Sequence, residues 1–281
     1  MEHLSYPVNR DCGVSQRANK TNTDFTNFTD FFGDMIELDK IYCEDCLEGM
    51  KRIADGAVDC IITDLPYGTT ACAWDSVIPF EPLWEQFKRV TKPNAAIVLF
   101  GKQPFTSFLI ASNIKMFRYE LIWEKDKGTD FGKANCKPLN AHEDILLFYR
   151  SAPTYNKQMQ PGTPYVKRNY CNNGKDDLNF TIDNSGLFIN NGERTPLSYM
   201  YYARERHPIH PTQKPLALMR YLVRTYSNEG DLILDATIGS GTTLVAAIKE
   251  KRHYLGFELN KEYFDIAEKR IWEERRQLTL F

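Results

Sequence analysis

Two apolar runs in this chain end in a carboxylate and break at once into a turn, which limits the fold more than any other feature. Asp59-Cys-Ile-Ile-Thr-Asp64 leads into Leu65-Pro66-Tyr67-Gly68, and Asp231-Leu-Ile-Leu-Asp235 leads into Ala236-Thr-Ile-Gly239-Ser240-Gly241. They lie in the candidate strands Ala57–Asp64 and Asp231–Ala236. Five more β-rich runs, Lys40–Asp45, Ala95–Phe100, Tyr119–Lys125, Asp144–Tyr149 and His253–Leu259, bring the candidate strands to seven. Helical spacing falls between several of them: Leu83, Phe87 and Val90; Leu216, Met219 and Val223 behind Pro215; and Phe264, Ala267 and Ile271. Apolar strands alternating with amphipathic helices predict an α/β fold, a mostly parallel sheet covered on both faces.

Composition supports a globular chain. With 281 residues, 42% of them hydrophobic and 26% charged, a sheet core can be buried without disulfides or metal. That excludes a wholly disordered, collagenous or disulfide-framework protein. The run Ala95–Phe100 is far below the roughly 18 residues a membrane span needs. Met1-Glu2-His3-Leu4-Ser5 does not read as a secretory signal, and seven irregularly spaced cysteines suggest a reducing compartment. The expectation is a cytoplasmic protein with no membrane partner.

The net charge of −2 hides a gradient. Residues 1–114 carry 10 basic and 16 acidic side chains, whereas residues 151–224 carry 10 and 5. That basic stretch is interleaved with Tyr155, Tyr165, Tyr170, Tyr199, Tyr201 and Tyr202. Cations for phosphates and flat rings for bases suit a nucleic-acid surface. A solvated basic face explains the stretch equally well by itself.

The chain divides into three parts. Residues 1–34, rich in Asn, Thr and Asp, read as a mobile extension. Residues 35–150 and 206–281 carry the α/β pattern. Between them, 151–205 break it with four prolines, four glycines and an Asn-Asn-Gly turn, and read as an insertion of loops and short strands.

In the run from Asp235, glycines would let the backbone approach a ligand at a helix N-terminus near Thr242. Glu258 ends the next strand, where an acid could grip a ribose hydroxyl pair. The alternative is a tight turn without a ligand. At the other carboxylate, Pro66 biases Leu65 to an extended form, so its carbonyl can face a cleft, and Tyr67 sets a rigid ring beside Asp64. Asp64 and the Leu65 carbonyl could each accept one N–H of an exocyclic amine while the ring stacks on the base. The plain reading is a proline turn. His207-Pro-Ile-His210-Pro-Thr212-Gln213-Lys214-Pro215 precedes a helix that Thr212 or Gln213 could cap, and Lys214 could meet a carboxylate.

Asp64-Leu65-Pro66-Tyr67 closely resembles the Asp-Pro-Pro-Tyr motif of amino-methylating DNA methyltransferases. The run from Asp235 to Thr243 resembles their Asp-Pro-Phe-x-Gly-Ser-Gly-Thr-Thr cofactor motif, and His210 to Pro215 is identical to their His-Pro-Thr-Gln-Lys-Pro segment. The order of the three looks like the beta group.

That resemblance implies a circularly permuted, Rossmann-like methyltransferase fold, with Lys40–Asp45 following the C-terminal helix in space and the seventh strand antiparallel. It implies S-adenosylmethionine as cofactor, with Asp45 near its adenine and Glu258 near its ribose. Asp235, Gly239, Ser240, Gly241 and Thr242 would line its site, and Thr212 and Lys214 are candidates for its carboxylate. The catalytic group would be Asp64, Leu65, Pro66 and Tyr67, methylating a flipped adenine at N6 in double-stranded DNA without a metal. The insertion would recognise the target through Lys157, Lys167, Arg168, Lys175 and Arg194, with Lys133, Asn135 and Lys137 of a loop beside Phe131 adding contacts. A homodimer and a companion restriction enzyme are family expectations only.

Leu65 departs from the family's first proline, and Ala236-Thr237 from its Pro-Phe, which removes an aromatic ring beside the cofactor. The rival readings are an N4-cytosine enzyme, an RNA or protein acceptor, and a non-catalytic DNA-binding relic of the fold. Asp rather than Ser at the head of the catalytic motif favours adenine. Cys43-Glu-Asp-Cys46 has no second ligand pair nearby and is not read as zinc or redox chemistry. Trp74 and Trp123 read as core or cleft-wall rings, and His142 as a structural hydrogen bonder.

Overall fold

Side-chain alternation along the central strands builds two cores, one on each face of the sheet. The computed structural model describes residues 36–68, 76–168, 187–210 and 212–278. In chain order the first elements are β1 (Lys40–Tyr42), α1 (Cys46–Met50), β2 (Val58–Thr63), α2 (Phe80–Val90), β3 (Thr91–Gly101) and α3 (Phe105–Ser112). A long hairpin follows, β4 (Phe117–Thr129) and β5 (Asn140–Phe148), then the short strands β6 (Gln160–Pro161), β7 (Tyr165–Arg168), β8 (Leu187–Asn190), β9 (Glu193–Arg194) and β10 (Tyr199–Tyr201). The chain closes with α4 (Leu216–Tyr226), β11 (Leu232–Asp235), α5 (Thr242–Lys249), β12 (His253–Phe257) and α6 (Lys261–Leu278).

On β3, Ala96, Val98 and Phe100 face one core, with Leu222 of α4, Val245 of α5 and Ala267 of α6. Ile97 and Leu99 face the other, with Met50 of α1, Phe87 of α2 and Leu109 of α3. A period of two thus sends successive residues to opposite, fully covered faces. The helical spacings read from sequence fall on α2, α4 and α6, where Leu83, Phe87, Val90, Met219, Val223, Ala267 and Ile271 are all buried.

The main sheet has eight strands in the order β1-β12-β11-β2-β3-β5-β4-β10. The expected antiparallel strand is β5, which opposes both β3 and β4. The eighth strand, β10, lies within the segment read as an insertion and pairs parallel with β4. β1 pairs parallel with β12, Lys40 opposite Leu255, so the first strand of the chain takes the place beyond α6 that circular permutation requires.

The strand boundaries shift from expectation, Ala95–Phe100 lengthening to Thr91–Gly101, and three of the shifts bear on the site. Lys40–Asp45 stops at Tyr42, because Asp45 is the N-cap of α1 and its Oδ1 accepts the Leu47 and Glu48 N–H groups at 2.8 and 3.4 Å. Tyr119–Lys125 and Asp144–Tyr149 grow into β4 and β5. Gly101, the last residue of β3, pairs with Asp144, yet the hairpin ladder continues to Thr129 opposite Asn140. Four more residues of rise carry it about 13 Å past the end of β3.

In the insertion, β6 pairs with β9 and β7 with β8, while Asn156 Nδ2 fastens the entry to α4 through the carbonyls of Arg224 and Ser227 at 3.0 and 2.9 Å. Trp123 is a core residue, its Nε1 donating to the Tyr202 carbonyl at 2.8 Å. The extension 1–34, Trp74, Tyr170 and Lys175 lie outside the described residues.

Candidate active site

Neighbouring parallel strands β1, β12, β11 and β2 each deliver an acid at or just beyond their carboxyl ends: Asp45, Glu258, Asp235 and Asp64. This is the edge at which open α/β sheets bind ligands.

On the β11 side the backbone passes through two left-handed glycines, Gly239 at φ 51° and Gly241 at φ 78°. Gly241 is the N-cap of α5 and has no side chain to occupy that helix end. Glu258 accepts the Gly239 N–H at 2.9 Å and the Asn260 N–H at 2.8 Å, and burial raises its carboxyl above the usual range. Asp235 is buried and accepts the Thr237 N–H at 3.1 Å. Burial pushes its carboxyl up to about 6, against the hydroxyls of Thr243 and Thr63.

Ser240 and Thr242 are brought to this loop but turn toward α6, where Arg270 meets the Ser240 carbonyl, the Ser240 Oγ at 3.1 Å and the Thr242 Oγ1 at 3.2 Å. Asp45 is exposed beside β12, occupied as a helix cap.

The segment before α4 behaves differently from its sequence reading. Neither Thr212 nor Gln213 caps α4: the N-cap is Pro215, and Glu205 accepts the Leu216 N–H at 3.0 Å. Thr212 is exposed, its N–H donating to His210 Nδ1 at 3.2 Å. His210 is buried edge-on against Tyr263, with ring centroids 4.1 Å apart. Burial, then the nearby Lys214, lower it to about 4, so the ring is neutral at pH 7.

Lys214 reaches the carboxylate of Asp64. Its Nζ is 2.5 Å from Asp64 Oδ2 and 3.1 Å from Glu143 Oε2, and Lys125 Nζ is 2.5 Å from Glu143 Oε1. Tyr67 donates its hydroxyl to Asp64 Oδ1 at 2.6 Å and packs one ring face on Phe105, with centroids 4.8 Å apart and planes 30° apart. Leu65 is buried, while Pro66 and Tyr67 are half-buried. Burial raises the Asp64 carboxyl, opposed first by the Lys214 charge, and raises the Tyr67 phenol well above its ordinary value, so it acts as a neutral donor. Each carboxylate oxygen accepts two hydrogen bonds, so Asp64 keeps acceptor capacity for an incoming N–H.

Two loops meet here. Thr237 Oγ1 donates to the Asp64 carbonyl at 2.9 Å and lies 2.8 Å from Thr63 Oγ1. Sequence reasoning missed Thr237, Glu143, Lys125 and Phe105. The available signal was charge where strand residues should be apolar: Lys125 beside Trp123, and Glu143 in the run to Phe148.

The basic candidates are placed unevenly. Phe131, Lys133, Asn135 and Lys137 are exposed at the tip of the β4–β5 hairpin. Asp130 fastens that tip, 3.0 Å from Lys102 and 2.8 Å from Lys137, and these lysines hold its carboxyl down to about 2. Lys157 and Lys167 are exposed. Arg168 ends β7, and its side chain lies outside the described residues. Arg194 is spent inside the insertion, donating to Asn190 Oδ1 and the Thr163 carbonyl and lying 4.8 Å from the Tyr165 ring centroid. His142 is exposed, and Cys46 is buried, its thiol pushed up to about 12. Among the described residues, no cluster of three or more His, Cys, Asp or Glu could hold a metal ion, and no helix is long and apolar enough to cross a membrane.

A family model described as DNA methylase matches residues 58–269. The Type II methyltransferase M.HpaI of Haemophilus parainfluenzae is 27% identical over 248 residues, covering 84% of this chain and 74% of that protein. The Type II methyltransferase M.BglII of Bacillus subtilis is 31% identical over 250 residues, covering 82% and 68%. Among solved structures, the M1.HpyAVI–SAM complex superposes with a TM-score of 0.56 at 24% identity, over 82% of this chain and 98% of that one.

Proposed function

We propose that this chain, which belongs to the DNA methylase family, transfers a methyl group from S-adenosylmethionine to the N6 amine of adenine in double-stranded DNA, at a fixed sequence. The observation that carries this reading is the union of Asp64 and Tyr67 with the glycine loop after β11, through the Thr237 hydroxyl on the Asp64 carbonyl.

The residues at the strand ends fit S-adenosylmethionine. Glu258 offers a carboxylate to a ribose, the Gly239–Gly241 backbone allows close approach, and the α5 N-terminus has no side-chain cap. When bound, the cofactor supplies a methyl carbon made electrophilic by a sulfonium.

The chain's own residues then act on the acceptor. An aromatic amine is a poor nucleophile because its lone pair is delocalised into the ring. Asp64 and the Leu65 carbonyl each accept one of its N–H groups, which favours sp³ character at nitrogen and aims the lone pair. Asp64 also stabilises the positive charge that develops there, so its work is positional and electrostatic. The base leaves the duplex to reach this edge, and Tyr67, braced by Phe105, is its stacking platform. Lys133 and Asn135 on the hairpin tip, with Lys157, Lys167, Arg168 and Lys175 in the insertion, contact DNA.

The family covers both N6-adenine and N4-cytosine chemistry, and Asp at the head of the catalytic motif is what favours adenine. The test is nucleoside mass spectrometry of duplex DNA incubated with the protein and S-adenosylmethionine. N6-methyladenine is expected. N4-methylcytosine would overturn the choice of base, and no methylated nucleoside would overturn the activity.

A further inference from the structure

Behind Asp64 lies a row of alternating charges drawn from four separate segments. Lys125 on β4 meets Glu143 on β5, Glu143 meets Lys214 before α4, and Lys214 meets Asp64 after β2, at 2.5, 3.1 and 2.5 Å. The side chains of Lys125 and Lys214 are only 6% and 7% exposed, and those of Glu143 and Asp64 13% and 21%, so water does little to stabilise these charges. Lys214 also sits 4.8 Å from the centroid of the buried Phe100 ring.

We infer that Lys214, braced by Glu143 and Lys125, is a positioning residue that keeps the Asp64 carboxylate ionised and fixed at the strand tip, and is not a ligand for the cofactor's carboxylate. This rests on the methyltransferase reading above and assigns a role within its site.

A carboxyl group withdrawn from water tends to take up a proton. Protonated Asp64 would lose acceptor capacity for the amine and its attraction for the positive charge that develops on nitrogen. A cation at Oδ2 opposes this. A bare cation there would in turn repel that developing charge, and Glu143 offsets it. Lys125 balances Glu143, so the row of four is neutral as a whole. The other groups facing Asp64 do not supply its cation. Tyr67 from its own loop is a neutral donor, Asp235 of β11 carries an acid, and Asp144 of β5 is engaged by the Thr106 hydroxyl at 2.6 Å. Asp64 and Glu143 take two of the three N–H donors of Lys214, and its side chain is only 7% exposed, so a cofactor carboxylate would have to compete with this row for the ammonium.

The test uses Lys214→Met, which keeps most of the length and removes the charge. Asp64 is followed by carboxyl ¹³C NMR titration of the full chain, assigned with Asp64→Asn, and the dissociation constant of S-adenosylmethionine is measured on the same samples. We expect the Asp64 midpoint to rise by at least one pH unit in Lys214→Met and to stay near wild type in Lys214→Arg. Cofactor affinity should change less than about threefold. The acid limb of the single-turnover methylation rate should move up with the midpoint.

An unmoved Asp64 midpoint in Lys214→Met, with cofactor binding weakened tenfold or more, would overturn the inference. Should Lys214→Met fail to fold, Glu143→Gln gives the second reading. A fall in maximal rate of tenfold or more at unchanged cofactor affinity supports the row, and a rate within threefold of wild type rejects it. The NMR midpoint is read without turnover, so a wild-type chain that methylates no DNA would sink the functional reading while the Lys214–Asp64 coupling is still measured.

Discussion

Thr237 Oγ1 donates a hydrogen bond to the main-chain carbonyl of Asp64 at 2.9 Å, across 173 residues of sequence. It joins the loop after β11 to the loop after β2, so the glycine turn and the acid of the Asp-Leu-Pro-Tyr segment are held as one unit. Sequence comparison marks Thr237 as a departure, where the family motif carries an aromatic ring. The hydroxyl makes a bond that a ring at this position would not.

Thr237→Val keeps the shape and removes the bond. Loss of one partly buried hydrogen bond costs about 1 kcal/mol. Turnover is expected to fall about fivefold if that energy is lost mainly in the transition state, with a small drop in unfolding midpoint. Steady-state kinetics and thermal unfolding of the same preparation check this; unchanged turnover would mean the two loops work independently.

Asp64→Ala should abolish methyl transfer while cofactor binding stays within about threefold of wild type, since the carboxylate acts on the amine. A tritiated-methyl assay beside calorimetric titration of the cofactor distinguishes the two effects. Normal turnover would remove Asp64 from the mechanism.

Tyr67→Phe keeps the ring stacked on Phe105 and loses only the hydroxyl on Asp64 Oδ1. Tyr67→Ala loses the platform, and base–aromatic stacking contributes roughly 1–3 kcal/mol. DNA affinity and turnover should therefore suffer much more in the alanine variant. Equal damage from both would assign the work to the hydroxyl.

Asp235 gives a stability prediction with a definite sign. Its folded carboxyl sits at about 6 because it is buried, above the ordinary aspartate value. The protonated form is favoured by folding, so this contribution is whole below about pH 4 and is lost as pH rises through 6. The loss is on the order of 3 kcal/mol. Asp235→Asn should thus be the more stable protein at pH 8, with the difference vanishing near pH 4, as read from denaturant midpoints across pH. A constant difference at all pH values would mean lost hydrogen bonds dominate.

On the hairpin tip, Lys133 and Lys137 differ in their partners, since Lys137 is 2.8 Å from Asp130. Lys133→Ala should lower the slope of log affinity against log salt by about 0.9, the value for one phosphate contact. Lys137→Ala should change it less. Fluorescence anisotropy over a salt series reads both, and equal slopes for Lys133→Ala and wild type would take the tip off the DNA.

Much of this site is legible in the sequence because its signals are local. Asp64 at the end of an apolar run is followed two residues later by the proline that fixes the turn, and Asp235 is followed within six residues by the glycines that precede a helix. These signals placed Asp64, Tyr67, Asp235, Gly239, Gly241 and Glu258 at strand ends, where the folded chain has them. Asp45 reads as the end of a strand, yet it caps α1, with partners only two and three residues away.

The partners of the charged groups were decided by tertiary structure alone. Lys214 is 150 residues from Asp64, and Arg194 turned out to hold its own insertion together. The backbone pattern is set by steric and apolar preferences that act along the chain. Which carboxylate an ammonium meets depends on strand order and on how deeply both are withdrawn from water, and neither exists until the sheet has closed.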